Sequence, residues 1–149
     1  MPTPGPLLAL DVGTQTIGIA TCDPGRILAR PVSTLARKGV RQDVARLVPI
    51  AADLGVVGLV VGLPLALDGG ETRSVRLARQ VGDALAAAMG LPLVYHDERF
   101  SSVEAERVLI AQGRSRQRRK GTIDQAAAAV ILQDFLDSSE SAGFAIEPG

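Results

Sequence analysis

Asp11 follows directly on the apolar run Leu7–Leu10, where a buried strand is expected to end. A carboxylate at such a place has to be paired, hydrogen-bonded or bound to a cation. A turn would be its simplest duty, but Asn or Ser would serve a turn equally well, and neither offers a full charge to a cation. Asp97 and Glu98 lie just past a second apolar segment, in YHDERF. Strand carboxyl ends are where open α/β sheets present ligands. Pairing with Arg99 is the plain account of Glu98, and strand alternation alone leaves Asp97 as its rival. Asp124 carries the most information. With Ala128, Ile131 and Phe135 it falls at offsets of four, seven and eleven, along one apolar helix face. An acidic residue can serve the positive end of a helix, but Thr122 already stands as a cap. A dipole-serving Asp has no reason to share the buried stripe.

Carboxylates drawn from two strand ends and the first turn of a packing helix repel one another unless cations sit between them. Mg²⁺ is typically held by one or two carboxylates, waters and phosphate oxygens. Two such ions activate a water and stabilise the leaving oxygen of a phosphodiester. The trio therefore reads as a site for Mg²⁺ or Mn²⁺, two ions in all. His96, a lone histidine closing a strand, reads as structural, since two-metal hydrolysis needs no such base. Cys22 reads as a packed thiol without an activating neighbour.

Those residues need elements to carry them. Residues 1–6 (MPTPGP) hold no regular structure. Leu7–Leu10, Ile17–Cys22 and Arg26–Thr34 read as an antiparallel meander, turned at DVGTQT and at Asp23-Pro24-Gly25. Helix signals run from Arg41 to Leu54, and VVGLVV (Val56–Val61) suits a strand covered on both faces. A second helix carries Val75, Ala78, Val81 and Leu85 inward and ends at Gly90, before a strand over Leu93–His96. Ser101 and Glu104 form a capping box for a helix closed by Gly113, and Thr122 and Gln125 form another for a helix to about Asp137. Residues 7–137 make one domain, with 138–149 a disordered tail. The expected fold is α/β: an RNase H-like mixed five-stranded sheet, three antiparallel strands joined to parallel ones, with helices on both faces.

Composition agrees with this. A chain of 149 residues buries about 68–70% of its unfolded surface, enough for a core without staples. It is 46% apolar but only 3% aromatic, without Trp, so Val, Leu, Ile and Ala must fill that core. This usage favours a helix-covered, parallel-rich sheet over a small barrel. One cysteine excludes an intrachain disulfide and a cysteine zinc site. Leu54–Leu67, the longest apolar stretch, is broken by Gly and Pro and too short to span a bilayer. Met1–Leu10 shows no basic leader segment, so a cytoplasmic location is expected. Sixteen basic against 16 acidic residues argues against a charge-driven coating protein.

Four stretches, LALDVGTQTIGIA, VVGLPLALDGGETRSVRLARQV, VYHDERFSSVEAERVL and KGTIDQAAAAVILQDFL, resemble the YqgF/RuvX family of RNase H-like nucleases. They cover nearly all of Leu7–Leu136 in family order. The combination of GLP, DER before two hydroxyl residues and KG-x-x-D-x-x-AA is what makes the likeness specific. The resemblance implies acidic catalytic positions at Asp11, Glu98 and Asp124, and it selects Glu98 over Asp97. It implies two substrates, the 5′ end of precursor 16S rRNA or, by likeness to RuvC, a four-way DNA junction. Junction cutting would call for a homodimer. Where the family commonly has a basic pair, this chain has Gln15 and Thr16.

The run RSRQRRK could supply the missing phosphate contact. Arg114, Arg116, Arg118, Arg119 and Lys120 put five positive charges into seven residues, expected as a loop just before the Asp124 helix. A solvated surface is the ordinary fate of such a run, but its place beside the carboxylates favours backbone phosphates. Without an aromatic residue it does not stack on bases. Two rivals remain. Actin-like kinases share an Asp-x-Gly-Thr loop and a related fold, but close two lobes around ATP where this length gives one. A non-catalytic binding module would not need all three acidic positions. Arg116→Ala and Arg119→Ala should each weaken nucleic-acid binding without changing substrate preference. On duplex DNA each should flatten the log–log salt dependence by roughly 0.9. Unchanged affinity would make the run bystander surface.

Overall fold

The computed structural model describes residues 4–63, 72–97 and 116–138, with side chains described from 126 onward in the last stretch. Its elements are β1 (Leu7–Val12), β2 (Thr16–Cys22), β3 (Ala29–Ala36), α1 (Val40–Leu54), β4 (Gly58–Leu63), α2 (Arg73–Met89), β5 (Leu93–Asp97) and α3 (Arg116–Asp137). The strands form one sheet in the order β3-β2-β1-β4-β5. β2 runs antiparallel to both β1 and β3, while β4 and β5 run parallel to β1. The mixed five-stranded sheet of the sequence reading is what forms. The helix expected over 101–113 and the tail over 139–149 lie outside the described residues.

Alternation along β1 divides the core in two. Leu8, Leu10 and Val12 join Leu59, Val61, Leu47, Val75, Val81 and Leu85 under α1 and α2. Leu7 and Ala9 join Ala20, Val60, Ala128, Ile131, Leu132 and Phe135 under α3. β1 is thus covered on both faces, and Leu7 to Leu10 are all fully buried. Of the stripe predicted for the last helix, the three apolar members are buried as expected. Ala128, Ile131 and Phe135 have no exposed surface.

Several boundaries move. β1 continues to Val12 because Asp11 and Val12 still pair with Gly18 and Ile17. β4 continues through Gly62 and Leu63 because β5 offers His96 and Asp97 as partners. β3 starts three residues later than Arg26. There the Asp23 carboxylate takes the Ile27 and Leu28 N–H groups, at 2.9 and 2.7 Å, before a ladder can. Those bonds hold Asp23 below its usual carboxylate range. Residues 4–6 carry no regular structure but are tied down. Gly5 N–H donates to the Pro24 carbonyl at 2.9 Å, and Arg26 Nε donates to the Gly5 carbonyl at 2.8 Å.

The largest correction concerns α3. It starts at Arg116, so Arg116, Arg118, Arg119 and Lys120 are helical rather than a loop, and Thr122 is not its cap. Arg, Gln and Lys are good helix formers, and a helix already propagating crosses Gly121 at a cost of about 1 kcal/mol. Asp124 is accordingly the ninth residue of α3, not part of its first turn.

Phe135 is the largest side chain sealing the α3 face. Phe135→Ala should cost about 3–5 kcal/mol of stability, read as a lowered urea midpoint. A loss below about 1 kcal/mol would mean that α3 does not cover this face.

Candidate active site at the carboxyl ends of the parallel strands

Asp11 is the last but one residue of β1. By alternation it shares the α3 face with Leu7 and Ala9. Its antiparallel partner on β2 is Gly18. On the other side, one step past the Leu10–Val61 pair, Gly62 comes level with it, and Gly62 in turn pairs with His96. Cross-strand partners lie side by side on one face. Asp11 therefore stands between two residues without side chains, on the face that α3 covers.

β5 is locked in register by polar anchors on its two faces. Tyr95 points to α2, where its Oη lies 2.6 Å from Asp83 Oδ1 and 3.1 Å from the Arg79 carbonyl. Burial, reinforced by the Asp83 carboxylate, pushes the Tyr95 hydroxyl up. Gly82 permits this approach, since a Cβ there would come within 2.9 Å of Tyr95 Oη. His96 points the other way. Its Nε2 lies 2.7 Å from Asp134 Oδ2, and its ring meets Phe135 edge-on at 6.0 Å. The structural role read for His96 is the one it plays here, tying β5 to α3. Asp97 has the parity of Tyr95, opposite to Asp11.

Glu98 follows β5 by one residue and lies outside the described residues. So does Arg114. Asp124 is described in its backbone alone, one turn ahead of the buried Ala128 on α3. Arg116, Arg118, Arg119 and Lys120 occupy the opening turns of the same helix, their side chains outside the described set. Among the described residues no three potential metal ligands cluster. Cys22 is buried and accepts the Leu7 N–H at 3.4 Å, and burial raises its thiol above the ordinary value. It is packing, as read.

One carboxylate escaped the sequence reading. Asp43 has no exposed surface and sits in the first turn of α1. Its Oδ2 accepts Arg37 Nε at 2.9 Å, and its Oδ1 accepts Arg46 Nη2 at 2.6 Å and the Lys38 N–H at 2.9 Å. Burial alone would raise its pKa, but the Lys38 N–H and the two guanidinium groups prevail and hold it below the usual range. The signal was available. Asp43 lies four residues before the buried Leu47, the same spacing that singled out Asp124 from Ala128.

A family model described as "RuvX: Holliday junction resolvase" matches residues 5–138. A protein of Cereibacter sphaeroides named "Putative pre-16S rRNA nuclease" is 44% identical over 137 residues, covering 92% of this chain and 86% of its own. A protein of the same name from Anaeromyxobacter dehalogenans is 46% identical over 130 residues, covering 87% and 95%. In fold the chain is similar to Thermus thermophilus RuvC, solved in complex with a Holliday junction substrate. The TM-score is 0.54 at 16% identity, over 85% of this chain and 91% of that one. At that identity the likeness concerns the fold.

The Asp43 cluster sets an acid response. A folded-state value below the ordinary 3.8 means that its stabilisation is complete above about pH 5 and drains away as pH falls through the folded value. The stability gap between wild type and Asp43→Asn should be flat from about pH 5 to 7 and shrink below about pH 4. Urea unfolding across pH reads it. A gap that widens in acid would contradict the ion cluster.

Proposed function

The chain belongs to the RuvX family, and on that premise we propose that it is a nuclease hydrolysing phosphodiester bonds in structured nucleic acid. Its substrate is the 5′ end of precursor 16S rRNA. The observation that carries the chemistry is the place of Asp11. It is a carboxylate at the carboxyl end of the central strand, between Gly18 and Gly62, on the face covered by the helix that bears Asp124. Strand parity supports Glu98 as the second acid. Along β5, Val94 and His96 take the side of Asp11, and Glu98 has their parity in the sequence. Asp97 takes the other.

Asp11, Glu98 and Asp124 would hold Mg²⁺ or Mn²⁺, two ions. The donor set fits hard cations, being carboxylate oxygen throughout, and neither Gly18 nor Gly62 sets a side chain beside Asp11. A cation held there would supply a lowered pKa for the attacking water and positive charge against the scissile phosphate. The chain's own contribution is to hold three charges in one place and to keep their supports dry. Arg114, Arg116, Arg118, Arg119 and Lys120 take the neighbouring backbone phosphates. Recognition then rests on shape and backbone, which needs no excess of net charge. This activity places the protein in the cytoplasm. Among the described residues no helix is long and apolar enough to cross a membrane.

The family description favours a second reading, resolution of four-way DNA junctions, under which a homodimer would be expected. A single assay separates the two: precursor 16S rRNA and a four-way junction, side by side, with Mg²⁺ or Mn²⁺. Asp11→Asn should keep fold and binding yet lose at least about a hundredfold in cleavage rate, the scale of removing one group that stabilises transition-state charge. Undiminished cutting by that variant would remove the metal model.

A further inference from the structure

Arg37 stands directly after β3 and reaches back to the turn that follows Asp11. Its N–H donates to the Gln15 carbonyl at 2.8 Å, and its Nη1 donates to the Gly13 carbonyl at 3.3 Å. The turn is tight by itself. Gly13 N–H donates to the Thr16 carbonyl at 2.8 Å, and a Cβ on Gly13 would come within 3.2 Å of that same oxygen. One residue thus ties down two carbonyls of a three-residue turn, two positions beyond Asp11. The guanidinium is in turn fixed by a charge that cannot leave. Arg37 is 8% exposed and its partner Asp43 is fully buried. Arg46 shares Asp43 but is 33% exposed, and its other bond goes to the Ala36 carbonyl rather than to a carbonyl of the turn.

We propose that Arg37, clamped by Asp43, is a positioning residue for Asp11, setting where that carboxylate stands relative to the other two acids. The inference rests on the nuclease reading for its consequence and on the clamp's geometry for its mechanism. Its physical basis is stiffness. Metal-dependent chemistry loses rate steeply when a ligand is displaced by a fraction of an ångström. Asp11 lies at the exit of a rigid strand, so motion left to it must come from the turn. A buried ion pair suits this duty, because a guanidinium held on two sides has one geometry.

The experiment compares full-length wild type, Arg37→Gln, Arg37→Lys and Arg46→Met. Two quantities are read at a temperature where all are folded. One is Mn²⁺-dependent cleavage of the four-way junction and of precursor 16S rRNA, titrated in Mn²⁺. The other is amide hydrogen exchange. Arg37→Gln should raise the Mn²⁺ concentration for half-maximal cleavage and lower the saturated rate, each at least about tenfold. It should also speed exchange at Gly13 at least about tenfold, with Leu8–Leu10 unchanged. Arg37→Lys, which keeps charge but not the fork, should recover part of both. Arg46→Met should shift neither, although it too removes a partner of Asp43. Wild-type Mn²⁺ dependence in Arg37→Gln, or an equal loss in Arg46→Met, overturns the proposal. If the wild type cuts neither substrate, the nuclease reading falls. Exchange at Gly13 then decides the clamp alone, and unchanged protection in Arg37→Gln overturns it.

Discussion

A strand covered by helices on both faces leaves no room for charge until it emerges. β1 obeys this for Leu7 to Leu10, all without exposed surface, and then presents Asp11. The desolvation cost of an ionised carboxylate in a dry core is several kcal/mol or more. The charge is therefore displaced to the strand's end, where β4 and β5 also end. The parallel strands deliver their carboxyl ends together, and α3 lies across the face on which Asp11 projects.

A second charge breaks the rule in a controlled way. Asp43 is buried outright, and it remains ionised because three donors converge on it. Such a cluster contributes little net stability compared with apolar packing. What it supplies is geometry. It sits where the β3 exit, the α1 entrance and the turn after Asp11 come together, a junction of three segments far apart in the chain. The two buried-charge problems, one solved by displacement and one by pairing, are thus adjacent and linked through Arg37.

Much of the fold was legible because its signals are local. Alternation, glycine punctuation and the offsets of Ala128, Ile131 and Phe135 placed the elements and their inward faces. The errors have a common cause. Where the chain stops pairing depends on what the neighbour offers, so β1 and β4 outlast their apolar runs and β3 waits for Asp23 to release it. The start of α3 failed for the opposite reason. The charges of RSRQRRK suggested a loop, while the residues bearing them are good helix formers.

By itself the sequence determined which residues could carry charge to the edge of a packed sheet. Asp11 ends an apolar run, Glu98 follows another, and Asp124 continues a buried helical stripe. These are properties of residue type and period, and they need no coordinates. Only the tertiary structure decided what stands beside Asp11 and which helix covers its face. Strand order placed Gly18 and Gly62 on either side of Asp11, and the opposed anchors of Tyr95 and His96 set the parity of β5. It also decided that Asp43, unremarkable in its helix, is buried between two arginines. Neighbours across a sheet are chosen by hydrogen-bond register between distant segments, and no local period encodes that choice.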